Sequence, residues 1–433
     1  MKKLIKSSFS ALLFLAGIIS TQTVQATDGY FGLGYGALNK GLAGAGTAWY
    51  KNSLINGNPA GNVFLGRQYN LGAGLFNPNR EYSVSGKPSG MPGTMGLTPG
   101  TVTSDSKLFV IPNLGANWML NEKSSLSVTL FGNGGMNTNY PTQTFYDQSS
   151  TTTGINLAQM FVGLTYSRKI AEKHSLGVTA LGAYQYFEAK GIASFGQMSG
   201  NPTKLSGNGT DNAYGAGFKF GYMGQLAKGL TLGVSYQPKT NMSKFDNYSG
   251  LFAEQGDFDI PSNLSVGLAF KIIENWALMA DYKKIYYSGV AAVSNPMNPQ
   301  AFATSPLGSD KGAGFGWKDI SVYKFGSEYN FPKGWTFRAG YSHCDEPVPS
   351  TETLFNILAP GVVQDHITTG FSRQIGTSGK AVHLAFVYAL QASVKGYNPL
   401  DFDPAKAALG QMVPNQTIEI KMNQFELEVA FTF

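Results

Sequence analysis

The 433 residues predict an all-β protein, a transmembrane antiparallel β-barrel of about 14 strands with an N-terminal hatch inside the lumen. Three observations carry this expectation. Segments of about ten residues alternate apolar and polar side chains, the period at which a strand presents two different faces. Very short polar turns and long loops succeed one another between those segments, as in bacterial outer-membrane barrels, whose short turns face the periplasm. Residues 28–61, rich in glycine and alanine and poor in charge, resemble none of the segments behind them.

Residues 1–26 read as a secretory leader. Lys2, Lys3 and Lys6 precede an apolar run over 11–19, and Val24-Gln25-Ala26 supplies the small residues that a signal peptidase needs. That run is too short to cross a hydrocarbon core of about 30 Å as a helix, and no later stretch reaches the roughly 20 apolar residues a membrane helix requires. The mean hydropathy is −0.11. In a barrel only alternate residues meet lipid, so a near-neutral mean is compatible with a membrane protein. The formal charge of +6 includes the three leader lysines, and no dense Lys/Arg cluster exists, which argues against a nucleic-acid partner. Cys344 is the single cysteine, so no intrachain disulfide can form.

The expected division is hatch over 27–66 and barrel over 67–433. Short turns are placed near 121–124, 172–174, 228–229, 274–275, 332–334 and 376–379. Long connections rich in Gly, Pro, Ser and Asn cover roughly 85–106, 139–158, 191–212, 244–258, 291–317, 344–364 and 395–416. Six turns and seven loops join fourteen strands, and an even number lets the first and last strands close antiparallel with both ends on the periplasmic side. The last segment is the clearest: Phe425, Leu427, Val429, Phe431 and Phe433 alternate with Gln424, Glu426, Glu428 and Thr432. Similar apolar rows run through Tyr214–Tyr222, Leu264–Phe270 and Val382–Leu390. Strands of a soluble sandwich average about 5–6 residues, too short for these rows, whereas tilted membrane strands need about 9–11. Trp118, Trp276 and Trp335 stand beside short turns, where an interfacial aromatic girdle belongs. Trp317, Tyr286 and Tyr287 stand toward the long loops and are expected in the outer girdle.

Gly32-x-Gly34-x-Gly36 superficially matches a dinucleotide loop but lacks the strand before it and the βαβ pattern after it. His174, His343, His366 and His383 show no ligand spacing, so neither a metal nor another cofactor is expected. Nothing singles out a nucleophile, and the chain is read as a non-enzyme. With the apolar rows facing lipid, Asp281, Lys283, Lys324, Glu328, Arg338, His383, Glu426 and Glu428 point into the lumen. Such charges either hold a ligand head group or pair with one another and with the hatch, since buried charges require compensation. The third strand, from about Ser125, meets Gly132, Gly134 and Gly135; three glycines in four residues mean a bulge, a simple strand end, or an opening in the wall.

The Asn58-Pro59-Ala60 end of the hatch, the stretch from Ile260 through Ala269, Trp276-Ala277-Leu278-Met279-Ala280-Asp281, Lys318-Asp319-Ile320 and Arg338-Ala339-Gly340-Tyr341-Ser342 together resemble the FadL/TodX family of outer-membrane transporters for hydrophobic compounds, over nearly the whole mature chain. The resemblance implies a monomeric barrel in the bacterial outer membrane, in contact with its lipid and with lipopolysaccharide. It implies passive uptake of long-chain fatty acids or aromatic hydrocarbons through a groove in the extracellular loops, an interior pocket and a lateral gap at a kink in the third strand. Carried over, the hatch motif falls on Asn58, Pro59 and Ala60, and the kink on Gly132, Gly134 and Gly135. Phe195, Met198, Leu205, Leu251 and Phe252 are groove candidates, while Lys324 and Arg338 are head-group candidates. The segments around Glu274-Asn275-Trp276 and 338–342 are closer to the aromatic-hydrocarbon branch. The alternative from another class is an adhesin or surface-receptor barrel that uses its long loops without transport.

Overall fold

The computed structural model describes residues 28–49, 57–376, 379–411 and 413–433, so the leader lies outside the described residues. Fourteen long strands form the wall: β1 (Gln68–Ser85), β2 (Phe109–Asn121), β3 (Ser124–Asn137), β4 (Gly154–Ala171), β5 (His174–Lys190), β6 (Asp211–Ala227), β7 (Leu230–Gln237), β8 (Asn263–Ile273), β9 (Trp276–Ile285), β10 (Ile320–Phe331), β11 (Trp335–Cys344), β12 (Asp365–Ile375), β13 (Lys380–Tyr397) and β14 (Thr417–Thr432). Each pairs antiparallel with its neighbours, and β14 closes on β1 from Asn70↔Thr432 to Ser85↔Thr417. Among the described residues the short turns and long loops alternate in the expected order, but β4 begins at Gly154, inside the loop expected over 139–158, and the loop expected over 244–258 extends from 238 to 262. Two short strands, Gly100–Thr103 on β1 and Asn241–Met242 on β6, add to the sheet on the loop side.

The two faces follow the alternation. On β14, Phe425, Leu427, Val429 and Phe431 are exposed to the bilayer, while Gln424, Glu426, Glu428 and Thr432 are buried inside. Trp118, Trp276 and Trp335 are exposed beside the short turns. Trp118 donates to the Tyr69 hydroxyl at 3.2 Å and Arg373 lies 5.0 Å over the Trp335 ring, amphipathic contacts suited to the membrane–water boundary. The outer girdle differs from expectation. Trp317 and Tyr287 are 2% and 0% exposed, because the loops carrying them fold inward over the lumen and their rings pack on Tyr30 at 5.8 and 5.3 Å. Tyr286 is half-buried.

The wall is irregular at one place. β2 and β3 pair from the turn up to Asn113↔Phe131 and no further. Beyond that point Phe109, Val110, Ile111 and Pro112 pair with β1 alone, while β3 stays on β4 with its register shifted between Gly132 and Gly134. The liberated edge of β3 is taken up from within the lumen: Gly32 N–H donates to Asn133 O at 2.8 Å, Gly135 N–H donates to Tyr30 O at 3.0 Å, and Phe31 bridges Gly134. The backbones approach so closely that a Cβ on Gly134 would collide with the Tyr30 carbonyl and one on Gly135 with the Leu157 carbonyl. The glycines are what let β3 leave its neighbour and accept a strand from inside.

Candidate functional site

Residues 28–49 occupy the lumen and are tied to the inward rows of the wall. Asp28 accepts from Lys324 at 2.9 Å and lies 3.5 Å from Lys283. Lys40, at the end of the short helix α1 (Ala37–Lys40), reaches Glu426 at 2.5 Å and Glu428 at 2.6 Å. Asp281 accepts the Gly46 and Thr47 N–H groups at 2.8 Å each, and Ala43 N–H donates to the Thr368 hydroxyl at 2.9 Å. Asp28 and Lys40 are the only charged residues in this stretch. Both face opposite charges on the wall, which satisfies the compensation that burial demands.

Asn58, Pro59 and Ala60 sit nearer the short-turn end. The Asn58 side chain caps the 3₁₀ helix Pro59–Phe64 by accepting from Ala60 N–H at 3.0 Å, and donates to Thr47 O at 2.8 Å and Tyr222 O at 2.9 Å. Ser167 and Ser175 hydroxyls donate to the Pro59 and Ala60 carbonyls at 2.5 and 2.7 Å. The opposing wall residue, Gly221, has no Cβ because Asn58 and Pro59 fill that space.

The eight lumen charges are all on inward rows, and the structure gives them protein partners. Besides the pairs above, Arg338 donates to Glu328 at 2.8 Å and to the Ser372 hydroxyl at 2.5 Å. Ser372 lies 2.7 Å from His383 Nδ1, and His383 Nε2 lies 2.9 Å from the Thr432 hydroxyl. The second ring nitrogen therefore meets a hydroxyl instead of the carboxylate that orients the histidine of a hydrolytic triad. Lys324 and Arg338, the head-group candidates, are committed to Asp28 and Glu328.

Above this polar level lies a small apolar pocket, open at its mouth, between β4, β5 and the long loops. Its lining brings together Phe195, Leu251 and Phe252 with Ile155, Phe187, Phe355 and Leu358. Met198 and Leu205 pack in the surrounding core and do not line it. Phe187 stands on the inward row of β5, whereas Phe355 and Leu358 escape a sequence reading because the inward turn of their loop is set by tertiary packing. The rings form a continuous series: Phe187 to Phe252 at 4.6 Å, Phe252 to Phe258 at 4.9 Å, Phe258 to Tyr30 at 6.1 Å, Tyr30 to Phe31 at 5.3 Å. Phe31 is the residue that bridges β3 at Gly134.

The break between β2 and β3 is filled by side chains. Phe76, Phe109 and Ile111, on the inward rows of β1 and β2, cluster with Ala158 and Tyr186. Ala158 shares its row with the exposed Val162 and Leu164, and Tyr186 with the exposed Val178 and Leu176. The inner face of β1–β2 therefore overlaps the outer face of β4–β5, and apolar packing closes the wall where ladder hydrogen bonds stop.

Known proteins agree with this architecture. The P. putida toluene transporter TodX has 18% sequence identity, with 92% of this chain and 98% of that chain covered and a TM-score of 0.64. A Pseudomonas aeruginosa FadL homologue has 15% identity, 94% and 99% coverage and a TM-score of 0.68, and the Ralstonia pickettii toluene transporter TbuX has 16%, 92%, 98% and 0.58. No curated protein sequence matches the chain. Residues 19–398 match the family described as outer membrane protein transport protein (OMPP1/FadL/TodX). With the closed fourteen-stranded wall, this match places the chain in the bacterial outer membrane, and the chain belongs to the OMPP1/FadL/TodX family of outer-membrane transport proteins.

Proposed function

We propose that this protein takes up small hydrophobic compounds, fatty acids or aromatic hydrocarbons, passively across the outer membrane as a monomer. Cargo settles in the cavity at Phe195, Leu251 and Phe252, among outer loops that border lipopolysaccharide. It then moves along the ring series through Phe258 and Tyr30, and leaves sideways into lipid between β2 and β3. Residues 27–66 act as a hatch that remains largely seated, because the exit is lateral. The observation that carries this reading is the continuity of the apolar path, from the cavity through Phe31 to the side-chain-closed break at Gly132–Gly135.

The chemistry suits sparingly soluble cargo. Each Å² of apolar surface moved from water into the cavity is worth about 25 cal/mol, so a plain aromatic surface supplies both capture and a smooth onward path. Lateral release ends in lipid, where that gain is retained and no energy source is needed.

The test is a reversible lock on the seam. A Cβ at Gly132 would lie 3.3 Å from Ile111 Cγ2, close enough for a cross-link between Ile111→Cys and Gly132→Cys. Toluene and dodecanoate uptake are measured in cells lacking their own channels for these compounds. Uptake should fall in the oxidised pair and return on reduction, with folded barrel unchanged. Full uptake through the oxidised protein would rule out this exit.

A further inference from the structure

Arg80 is a buried charge of the barrel that has no counter-charge among the described residues. It lies on the inward row of β1, opposite Met422 of β14, and is 2% exposed. Both terminal guanidinium nitrogens, Nη1 and Nη2, are buried without a hydrogen-bond partner, and no ion pair involves it among the described residues. The inward carboxylates of β14, Glu426 and Glu428, already hold Lys40. Two positions along β14, Gln424 is 1% exposed and neither its amide oxygen nor its amide nitrogen has a partner. Gln424 pairs with Pro78, so it is the diagonal neighbour of Arg80 on one face, a separation long side chains span.

Apolar groups surround the pair. Met422 and Ile420 continue the row of β14, and Tyr82, the next inward residue of β1, packs edge-on against Tyr140 at 4.8 Å. The Tyr140 hydroxyl donates to Ile357 O at 2.8 Å, and Ile357 adjoins Leu358 of the apolar cavity. An isolated buried guanidinium is costly, and its planar fork matches a carboxylate bidentately. Gln424 adds an N–H donor beside it.

We propose that Arg80 and Gln424 form the receptor for the carboxylate of a hydrophobic monoacid whose hydrocarbon part lies in the apolar core above the hatch. The inference rests on the transport reading and narrows its cargo to include fatty-acid-type anions. It also assigns the head-group role to residues other than Lys324 and Arg338.

The test compares radiolabelled dodecanoate, its methyl ester and toluene, taken up by channel-deficient cells carrying the full chain at equal amounts of folded barrel. Charged hydrogen bonds of this kind are worth about 1.5–3 kcal/mol, so Arg80→Gln should lower dodecanoate uptake at limiting concentration about tenfold or more. Ester and toluene uptake should stay within about twofold of the native protein on the same reasoning. Arg80→Lys should retain an intermediate rate, and Gln424→Leu should lower uptake of the acid alone. Arg80→Met removes an uncompensated charge, so its urea midpoint should equal or exceed the native one, separating a binding role from a structural one. Equal loss for all three compounds, or no loss for the acid, would overturn the proposal. Loss of acid uptake on Lys219→Gln with Arg80→Gln unaffected would move the site to the polar cavity that Lys219 lines. Native protein that carries toluene but not dodecanoate would defeat this inference and leave the transport reading standing. Native protein that carries none of the three would defeat both.

Discussion

Lys40 Nζ lies 2.5 Å from Glu426 Oε1, with both side chains at most 3% exposed, and the same ammonium reaches Glu428 at 2.6 Å. One cation thus holds two carboxylates that stand on one row of β14. Lys40→Met leaves those carboxylates facing each other without a counter-charge. A broken buried pair costs about 3–5 kcal/mol, and the lumen segment loses its strongest tie to that side of the wall. The expected outcome is a lower urea midpoint for the folded band and raised ion conductance in planar bilayers. Adding Glu426→Gln and Glu428→Gln should recover much of the lost stability.

Asn58 makes three hydrogen bonds that join two parts of the lumen segment to β6. Asn58→Ala removes the cap and leaves the Thr47 and Tyr222 carbonyls without that donor. Cap loss alone costs about 0.5–2 kcal/mol. Hydrogen exchange should rise in residues 57–64 and around Thr47, while the strands keep native protection; protection unchanged in both places would refute the structural role assigned to this side chain.

Phe252 is central to the ring series, with neighbours at 4.6 and 4.9 Å. Truncating a buried phenylalanine costs about 3–5 kcal/mol of folding stability, and on the proposed route it also removes apolar surface from the cargo's path. Phe252→Ala should raise the half-saturating toluene concentration more than it lowers the maximal uptake rate. An unaltered concentration curve would place the entry route elsewhere.

The extracellular loop before β8 carries a pH-sensitive carboxylate. Burial, then Asp259, then Glu254, push Asp257 up to about 7, while Lys239 holds Asp259 at 2.8 Å. A carboxyl whose folded pKa is raised above its ordinary value of about 3.9 binds a proton that the opened loop releases. That contribution to loop stability is fully present below about pH 4 and is lost as pH rises through about 7. Hydrogen exchange in residues 254–259, corrected for its intrinsic pH dependence, should therefore show weaker protection at pH 8 than at pH 5.5. Asp257→Asn should flatten the difference.

The wall was legible because its physics is local. Alternation assigns Glu426 and Phe425 to opposite faces of β14, and two-residue turns such as Glu274-Asn275 announce the sides of the membrane. The glycines at 132–135 marked the irregular strand for the same reason. Trp317 and Tyr287 were misplaced because their loops fold into the lumen, a choice set by contacts with Tyr30 that sequence distance conceals. Arg80 was hidden differently. It sits in Asn77-Pro78-Asn79-Arg80-Glu81, a polar run with no visible alternation, so only pairing with Met422 shows that it points inward.

A closed barrel ordinarily has no sheet edge, and edges are where chains join wrong partners. By parting, β2 and β3 each free an edge, and residues 30–32 cover that of β3 from inside as an added strand would. The protein supplies its own edge protection from the beginning of the chain. A barrel whose wall forms before that segment docks would carry an unpaired edge within the membrane, so the lumen segment is also a guard on assembly, and its early truncation should yield aggregated barrels instead of open ones.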